Sequence, residues 1–167
     1  MRPSPNPFCI AIQNGNVDAV KLLIEQGADA DMLDKNGYGP MHYAAYGSNC
    51  EIMSILIDMK ADVNIQTKTK MLTALHIAAY EGHMNVLDIL IDNTIGIDVD
   101  ILDRDGRSAI HYAAQGNRLD VLEFLADYAD MDVNLPDRYG CLPINLTTNP
   151  NIQTAILKRL GLRRKSA

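Results

Sequence analysis

The chain repeats itself, and no other feature limits its fold so tightly. Laid against itself it returns one pattern every 33–35 residues. A chain with such a period builds a stack of like units, each covering its neighbour, instead of one closed core. Segments 39–47 (GPMHYAAYG), 73–82 (TALHIAAYEG) and 108–116 (SAIHYAAQG) align on His42, His76 and His111, which lie 34 and 35 residues apart. A further 34 residues on, Leu142-Pro143-Ile144-Asn145-Leu146 keeps the pattern with Asn in place of His. Going back 33 residues from His42, the stretch Asn6 to Ile12 keeps it with Cys9. Five units follow, approximately 6–33, 34–67, 68–102, 103–136 and 137–160, between a leader 1–5 and a basic tail 161–167.

The second half of each unit repeats as well. Val17–Ile24, Cys50–Ile57, Met84–Ile91 and Leu119–Ala126 place apolar residues at i, i+3 and i+4, the spacing of a helix with one apolar stripe. An Asp- or Asn-bearing connector follows each, and turn glycines stand at Gly37, Gly106 and Gly140. In the first half, Ala44-Ala45, Ala78-Ala79 and Ala113-Ala114 fall mid-way along a short helix. Alanine favours the helix and lets neighbouring helices approach closely. Pro40 and Pro143 fit the first helical turn, where a missing N–H is harmless, and Thr73 and Ser108 are placed to cap. Each unit therefore reads as turn, short helix, loop, longer helix and extended connector.

These residues resemble the ankyrin repeat, whose signature runs D-x-x-G-x-T-P-L-H-x-A-A-x-x-G-H-x-x-V-V-x-x-L-L-x-x-G-A-D-V-N. The resemblance covers about residues 6–160 and is strongest in units two to four. It implies an all-α ankyrin-repeat solenoid of stacked helix-loop-helix units with β-hairpin or finger loops. It further implies Thr73–His76 and Ser108–His111 hydrogen bonds, with His42 losing that partner because Gly39 stands in the Thr position. Tyr43 and Tyr112 occupy the usual Leu slot and are expected in the core. The end units should carry more polar outer faces. In unit five, Ile152, Ile156, Leu157 and Leu160 lie on one face, while Lys158, Arg159 and Arg163 to Lys165 solvate the far end. Unit three departs from the pattern twice. Met71 replaces the turn glycine and Asn93-Thr94-Ile95-Gly96 lengthens the connector, so the finger Gln66–Lys70 should be irregular.

Composition bounds the rest. The net charge is −6, and the last ten residues hold Lys158, Arg159, Arg163, Arg164 and Lys165 with no acid, which leaves −11 for residues 1–157. An acidic body repels nucleic acid and anionic membrane, since both are polyanions. The basic tail reads as a solvated helix end. No apolar run approaches the ~18–20 residues of a membrane span, and the Pro-rich N-terminus has no signal-peptide core. Cys9, Cys50 and Cys141 lie far apart with an odd total, which reads as reduced, mostly buried thiols in a cytoplasmic or nuclear protein.

Catalytic and metal chemistry find no support. His42, His76 and His111 recur once per repeat, about 10 Å apart along a stack, while metal ligands must converge within a few ångströms. His83 follows Gly82 as the ankyrin pattern requires. Carboxylates are scattered, serines and cysteines lack a neighbouring base, and no phosphate loop occurs. The expectation is a non-enzymatic monomer without cofactor or metal that binds a partner protein, with no nucleic acid and no membrane insertion.

In proteins that share this pattern the concave face is lined by residues just after the Ala-Ala pairs, here Tyr46, Gly47, Tyr80, Glu81, Gln115 and Gly116. Finger residues Tyr38, Leu72, Arg107 and Cys141 lie beside the turns, with Lys35, Asn36, Arg104, Asp105, Arg138 and Tyr139 next to them. Exposed tyrosine and arginine are common interface anchors, so Tyr38, Tyr46, Leu72, Tyr80, Glu81, Arg104, Arg107, Gln115, Arg138 and Tyr139 form the expected partner site. Size and unit count also resemble ankyrin-type inhibitors of cyclin-dependent kinases, without a specific motif. A targeting domain of a larger channel, effector or ubiquitin-ligase adaptor is the other alternative. The sequence around Asn64 resembles that of hydroxylated asparagines in animal ankyrin repeats, and Arg163-Arg164-Lys165-Ser166 resembles a basophilic-kinase site at Ser166.

Overall fold

The computed structural model describes residues 6–92, 96–127 and 129–161. The expected leader 1–5, the added connector residues Asn93, Thr94 and Ile95, and Arg163, Arg164, Lys165 and Ser166 of the tail lie outside them. Among the described residues the chain forms helices and turns and no strand. The short helices are α1 (Pro7–Gln13), α3 (Pro40–Tyr46), α5 (Ala74–Glu81) and α7 (Ala109–Gln115), and a 3-10 helix (Pro143–Leu146) takes that place in the last unit. The longer ones are α2 (Val17–Glu25), α4 (Cys50–Asp58), α6 (Met84–Asp92), α8 (Leu119–Asp127) and α9 (Pro150–Arg159). The fifth unit falls short of an α-helix because Thr147 and Thr148 stand where the others have small or helix-favouring residues, and Thr147 turns extended.

Short helix stacks on short helix. α5 lies between α3 and α7, with α1 beyond α3 and the 3-10 helix beyond α7, while α4 packs on α6 and α8 on α9. The six paired alanines Ala44, Ala45, Ala78, Ala79, Ala113 and Ala114 are all fully buried, so they set the closeness of this stack. Gly116 extends it: a Cβ there would stand 2.2 Å from the Tyr80 carbonyl oxygen, so only glycine lets α7 come this near α5. The long helices contribute the larger side chains. Leu56, Leu90 and Leu125 occupy equivalent positions and are fully buried, each contributing roughly 1.5–3 kcal/mol relative to exposure.

Three rows of polar contacts tie unit to unit. In the first, His42 Nδ1 accepts from the Gly39 N–H at 3.0 Å, and His76 Nδ1 and His111 Nδ1 accept from Thr73 and Ser108 N–H groups at 3.2 Å. The Thr73 and Ser108 hydroxyls meet the same nitrogens at 2.8 and 3.1 Å, as the resemblance implied. His42 therefore forgoes only the hydroxyl and keeps the backbone donor, because the cap geometry survives with glycine at residue 39. With Nδ1 accepting, Nε2 carries the proton. It donates across to the next unit, His42 to the Leu72 carbonyl at 2.9 Å and His76 to the Arg107 carbonyl at 3.1 Å. His111 Nε2 has no hydrogen-bond partner in range, where the last unit changes shape. Asn145 substitutes for the ring at the cap, accepting from the Leu142 N–H at 2.9 Å.

In the second row, Asn49, His83 and Arg118 hold one repeat position and reach back to the carbonyls of Ile12, Ala45 and Tyr80 at 2.9, 2.9 and 3.0 Å. Those carbonyls lie in the last turn of the preceding short helices, where the regular helical bonding runs out. In the third, the connectors are stitched by side chains: Asp31 accepts from the Asp62 N–H at 2.7 Å, and Asn64 donates to the Gly96 carbonyl at 2.8 Å while accepting from the Asp98 N–H at 2.9 Å.

The two ends depart from the expectation of polar outer faces. Ile10 and Leu22 of the first unit remain 37% and 54% exposed. At the other end Ile152 and Ile156 are buried, Leu157 and Leu160 only half-buried. Arg159 does not simply solvate the end, since it pairs with Asp127 of α8.

Candidate functional site

Three of the four fingers are built by one acidic residue each. Asp34 Oδ1 accepts from the Asn36 and Tyr38 N–H groups at 2.8 Å, closing a tight turn with Gly37 in the left-handed region. Asp103 repeats this with Asp105 and Arg107, and Asp137 with Tyr139 and Cys141. Unit three uses Thr67 instead, whose hydroxyl accepts from the Leu72 N–H at 3.0 Å. Its finger is one residue longer and passes through Met71 at φ 59°, the irregularity expected from the lost glycine.

In Asp34 and Asp103 the second carboxylate oxygen meets a tyrosine hydroxyl. Asp34 Oδ2 accepts from Tyr43 Oη at 3.0 Å and Asp103 Oδ2 from Tyr112 Oη at 2.7 Å. Tyr43 and Tyr112, expected in the core, are therefore half-buried with their phenols in the groove, since a tyrosine hydroxyl needs a partner that a leucine slot does not offer. Burial pushes the Tyr43 phenol up to about 12, and its bond to Asp34 adds to this; Tyr112 moves the same way. Burial alone would raise Asp34, but the N–H of Tyr38, the Tyr43 hydroxyl and the N–H groups of Asn36 and Gly37 outweigh it and hold the carboxyl below its usual range. Nearby, burial and the Asp34 charge push the Cys9 thiol up to about 11, which keeps it protonated and inert. Cys9 is buried as expected, and Cys50 and Cys141 are half-buried free thiols.

A groove of about 630 Å³ runs along this concave side from Gln13 to Gln115. Of the sequence-derived residues it gathers Tyr38, Tyr46, Leu72, Tyr80, Glu81, Arg107 and Gln115, and it leaves Arg104, Arg138 and Tyr139 outside on the finger tips. Tyr46 is 59% exposed and Tyr80 41% exposed. Tyr80 leans edge-on against Tyr112 with ring centroids 6.3 Å apart, so it is partly held by its neighbour. Leu72 lines the groove at only 8% exposure, with its N–H on the Thr67 hydroxyl and its carbonyl on His42 Nε2. Arg107 is likewise committed, with Nε 2.9 Å from Asp137 Oδ2 and only a fifth of its side chain exposed. Asp137 lies below its usual range: burial would raise it, but Arg107 and the N–H groups of Cys141 and Tyr139 prevail.

Sequence reasoning named Asp105 beside the turn but missed the Asp34 carboxylate and Lys70 as groove lining. The Asp-x-x-Gly spacing located Asp34 in the turn, but gave no sign that its second oxygen would face inward. Among the described residues, no three His, Cys, Asp or Glu side chains converge as a metal site, and no helix is long and apolar enough to cross a membrane.

A stack of helix pairs, with histidine cross-links and a row of turns beside a concave face, defines an all-α repeat solenoid. The sequence places it further: the family model for ankyrin repeats matches residues 3–67 and 49–137, and the chain belongs to the ankyrin-repeat family. Among its relatives, the transient receptor potential channel pyrexia of Drosophila melanogaster is 31% identical over 138 residues, 83% of this chain. Mouse inversin is 35% identical over 153 residues, 92% of this chain. The chain spans 14% of the length of each. Human transient receptor potential cation channel subfamily A member 1 is 31% identical over 61 residues, 36% of this chain and 6% of that protein.

Proposed function

We propose that this chain is a non-catalytic binding module that holds a partner protein in its concave groove, with Tyr46 and Tyr80 as anchors. The observation that carries this reading is their exposure on one groove wall, 59% and 41%, in a stack whose core alanines and leucines need neither ring. A tyrosine offers a large rigid face and a hydroxyl, and loses little entropy when fixed. Glu81 and Gln115 supply polar contacts beside them, Tyr38 closes the finger side, and Leu72 and Arg107 act through the floor they form. A test is affinity capture with the wild-type chain and the Tyr46→Ala/Tyr80→Ala variant as paired baits, quantified by mass spectrometry. A protein enriched on the first and lost from the second supports the groove, and equal enrichment on both refutes it.

A second reading has specific support. Two of the relatives are named as channels and the chain matches only 14% of the first of them. This favours a regulatory or targeting ankyrin segment whose partner is another part of a larger assembly, inside the cell. For the modifications, Asn64 is already engaged on both amide atoms by Gly96 and Asp98. Hydroxylation there would have to break these bonds first, and Ser166 lies outside the described residues.

A further inference from the structure

The finger tips carry a charge opposite to that of the rest of the protein. Lys35, Lys68, Lys70, Arg104 and Arg138 are all exposed at the turns of four consecutive fingers, accompanied there by one acid, Asp105. Five of the 15 basic residues and one of the 21 acidic ones fall on the tip segments 35–36, 68–70, 104–105 and 138–139. The tips therefore hold +4, and the remainder of the chain −10. None of the five cations meets a carboxylate, since the ion pairs among the described residues are Lys21–Glu51, Arg107–Asp137 and Arg159–Asp127.

The tips are also held in register. The Lys68 N–H donates to the Asn36 carbonyl at 3.2 Å, Arg104 N–H to Lys70 at 2.9 Å and Arg138 N–H to Asp105 at 2.8 Å. The Arg104 guanidinium adds a bond to the Lys68 carbonyl at 3.0 Å, which fixes it on the ridge. Each finger has two limbs, and limbs bonded in this way stand about 4.8 Å apart, so the cations recur about every 10 Å. A peptide in the polyproline-II conformation rises about 3.1 Å per residue with three residues per turn, so every third side chain faces the ridge about one finger apart.

We propose that this ridge is a second docking surface, bordering the tyrosine-lined groove and sharing Lys70 and Asp105 with it, which receives an extended acidic segment of a partner protein with carboxylates near every third residue. The proposal rests on the reading of the chain as a protein binder. A single acidic segment in this conformation fits a ridge one finger deep. A nucleic acid or an anionic vesicle presents charge over a wider area, and would also face the −10 of the flanks.

The probe is a fluorescein-labelled peptide of about twelve residues with Glu at every third position and Ser between, followed by anisotropy. It should bind the wild-type chain with an affinity that falls as salt rises. Lys68→Ala/Lys70→Ala/Arg104→Ala/Arg138→Ala should weaken it by at least about tenfold, since it removes most of the attracting charge. If that variant melts early, Lys35→Gln/Arg138→Gln, which leaves the Arg104 bridge between fingers in place, should still weaken it by about threefold. Tyr46→Ala/Tyr80→Ala should leave this affinity unchanged, which separates the ridge from the groove. Equal binding by the ridge variants, loss in the tyrosine variant, or tighter binding of duplex DNA or anionic vesicles than of the peptide would each overturn the assignment.

Discussion

His42, His76 and His111 each cap a short helix with one ring nitrogen, and the first two reach the next unit with the other. This arrangement requires the neutral ring, since a protonated Nδ1 cannot accept from the N–H of residue 39, 73 or 108. Burial lowers all three, and His76 falls to about 4. The unfolded chain binds the proton near 6.5, so stability is whole above pH 6.5 and is lost as pH drops from there toward 4. For His76 the loss is on the order of 3 kcal/mol across that window. Asp34 and Asp137 are displaced downward instead, so their contribution fades only below the ordinary carboxylate range. Urea unfolding at stepped pH should show this fall, and His76→Asn should shrink it, since Asn145 already serves as such a cap in the last unit. A wild-type midpoint that stays level from pH 6.5 to 4.5 would contradict the assigned ring state. A second residue-scale expectation concerns Arg107. Its removal would leave the Asp137 carboxylate buried without its cation, so Arg107→Ala should cost about 2–4 kcal/mol in urea unfolding. A cost within error of zero would place that side chain at the interface rather than in the fold.

At the scale of the element, the finger and the helix pair each depend on a glycine. Gly37 has φ +83°, and a Cβ on it would stand 2.3 Å from the Lys68 backbone nitrogen, the group that joins the second finger to the third. Gly37→Ala combines left-handed strain of about 1–2 kcal/mol with that clash. It should lower the melting temperature and speed amide exchange at Lys68 in particular; unchanged exchange there would show that the fingers do not depend on one another. How far such elements could be read from sequence varies with how local their causes are. Helix position followed from the spacing of apolar residues and from Pro40, Thr73 and Ser108, because these act within one turn of chain. The bridge made by Asn49, His83 and Arg118 was visible only at His83, where the residue matched the ankyrin signature. Its two counterparts have unlike side chains, and only three-dimensional position reveals their shared role. Leu72 was placed beside the groove, but its depth was not legible: at 8% exposure it is more buried than a position next to a turn suggests.

Across the whole molecule, stability is shared between neighbours, so damage to an inner unit should travel. Ala79 is fully buried between α3 and α7, and Ala79→Asp forces an unpaired charge into that contact. It should cost several kcal/mol, at least about 3, and make unfolding visibly less cooperative by circular dichroism. The solenoid as a whole was legible because its period appears in the sequence. The groove was legible only in part: seven of the expected partner-site residues line it, but the inward carboxylate of Asp34 depended on how its finger folds back. The central claim is that the chain binds a protein partner through Tyr46 and Tyr80 on a frame that does not need them. It is tested most directly by titrating a partner captured by the wild-type chain into the wild type and Tyr46→Ala/Tyr80→Ala by calorimetry, with melting temperatures measured alongside. The account predicts melting within a few degrees and an affinity weaker by at least ~2 kcal/mol, about thirtyfold. Full affinity in the folded double variant would contradict it.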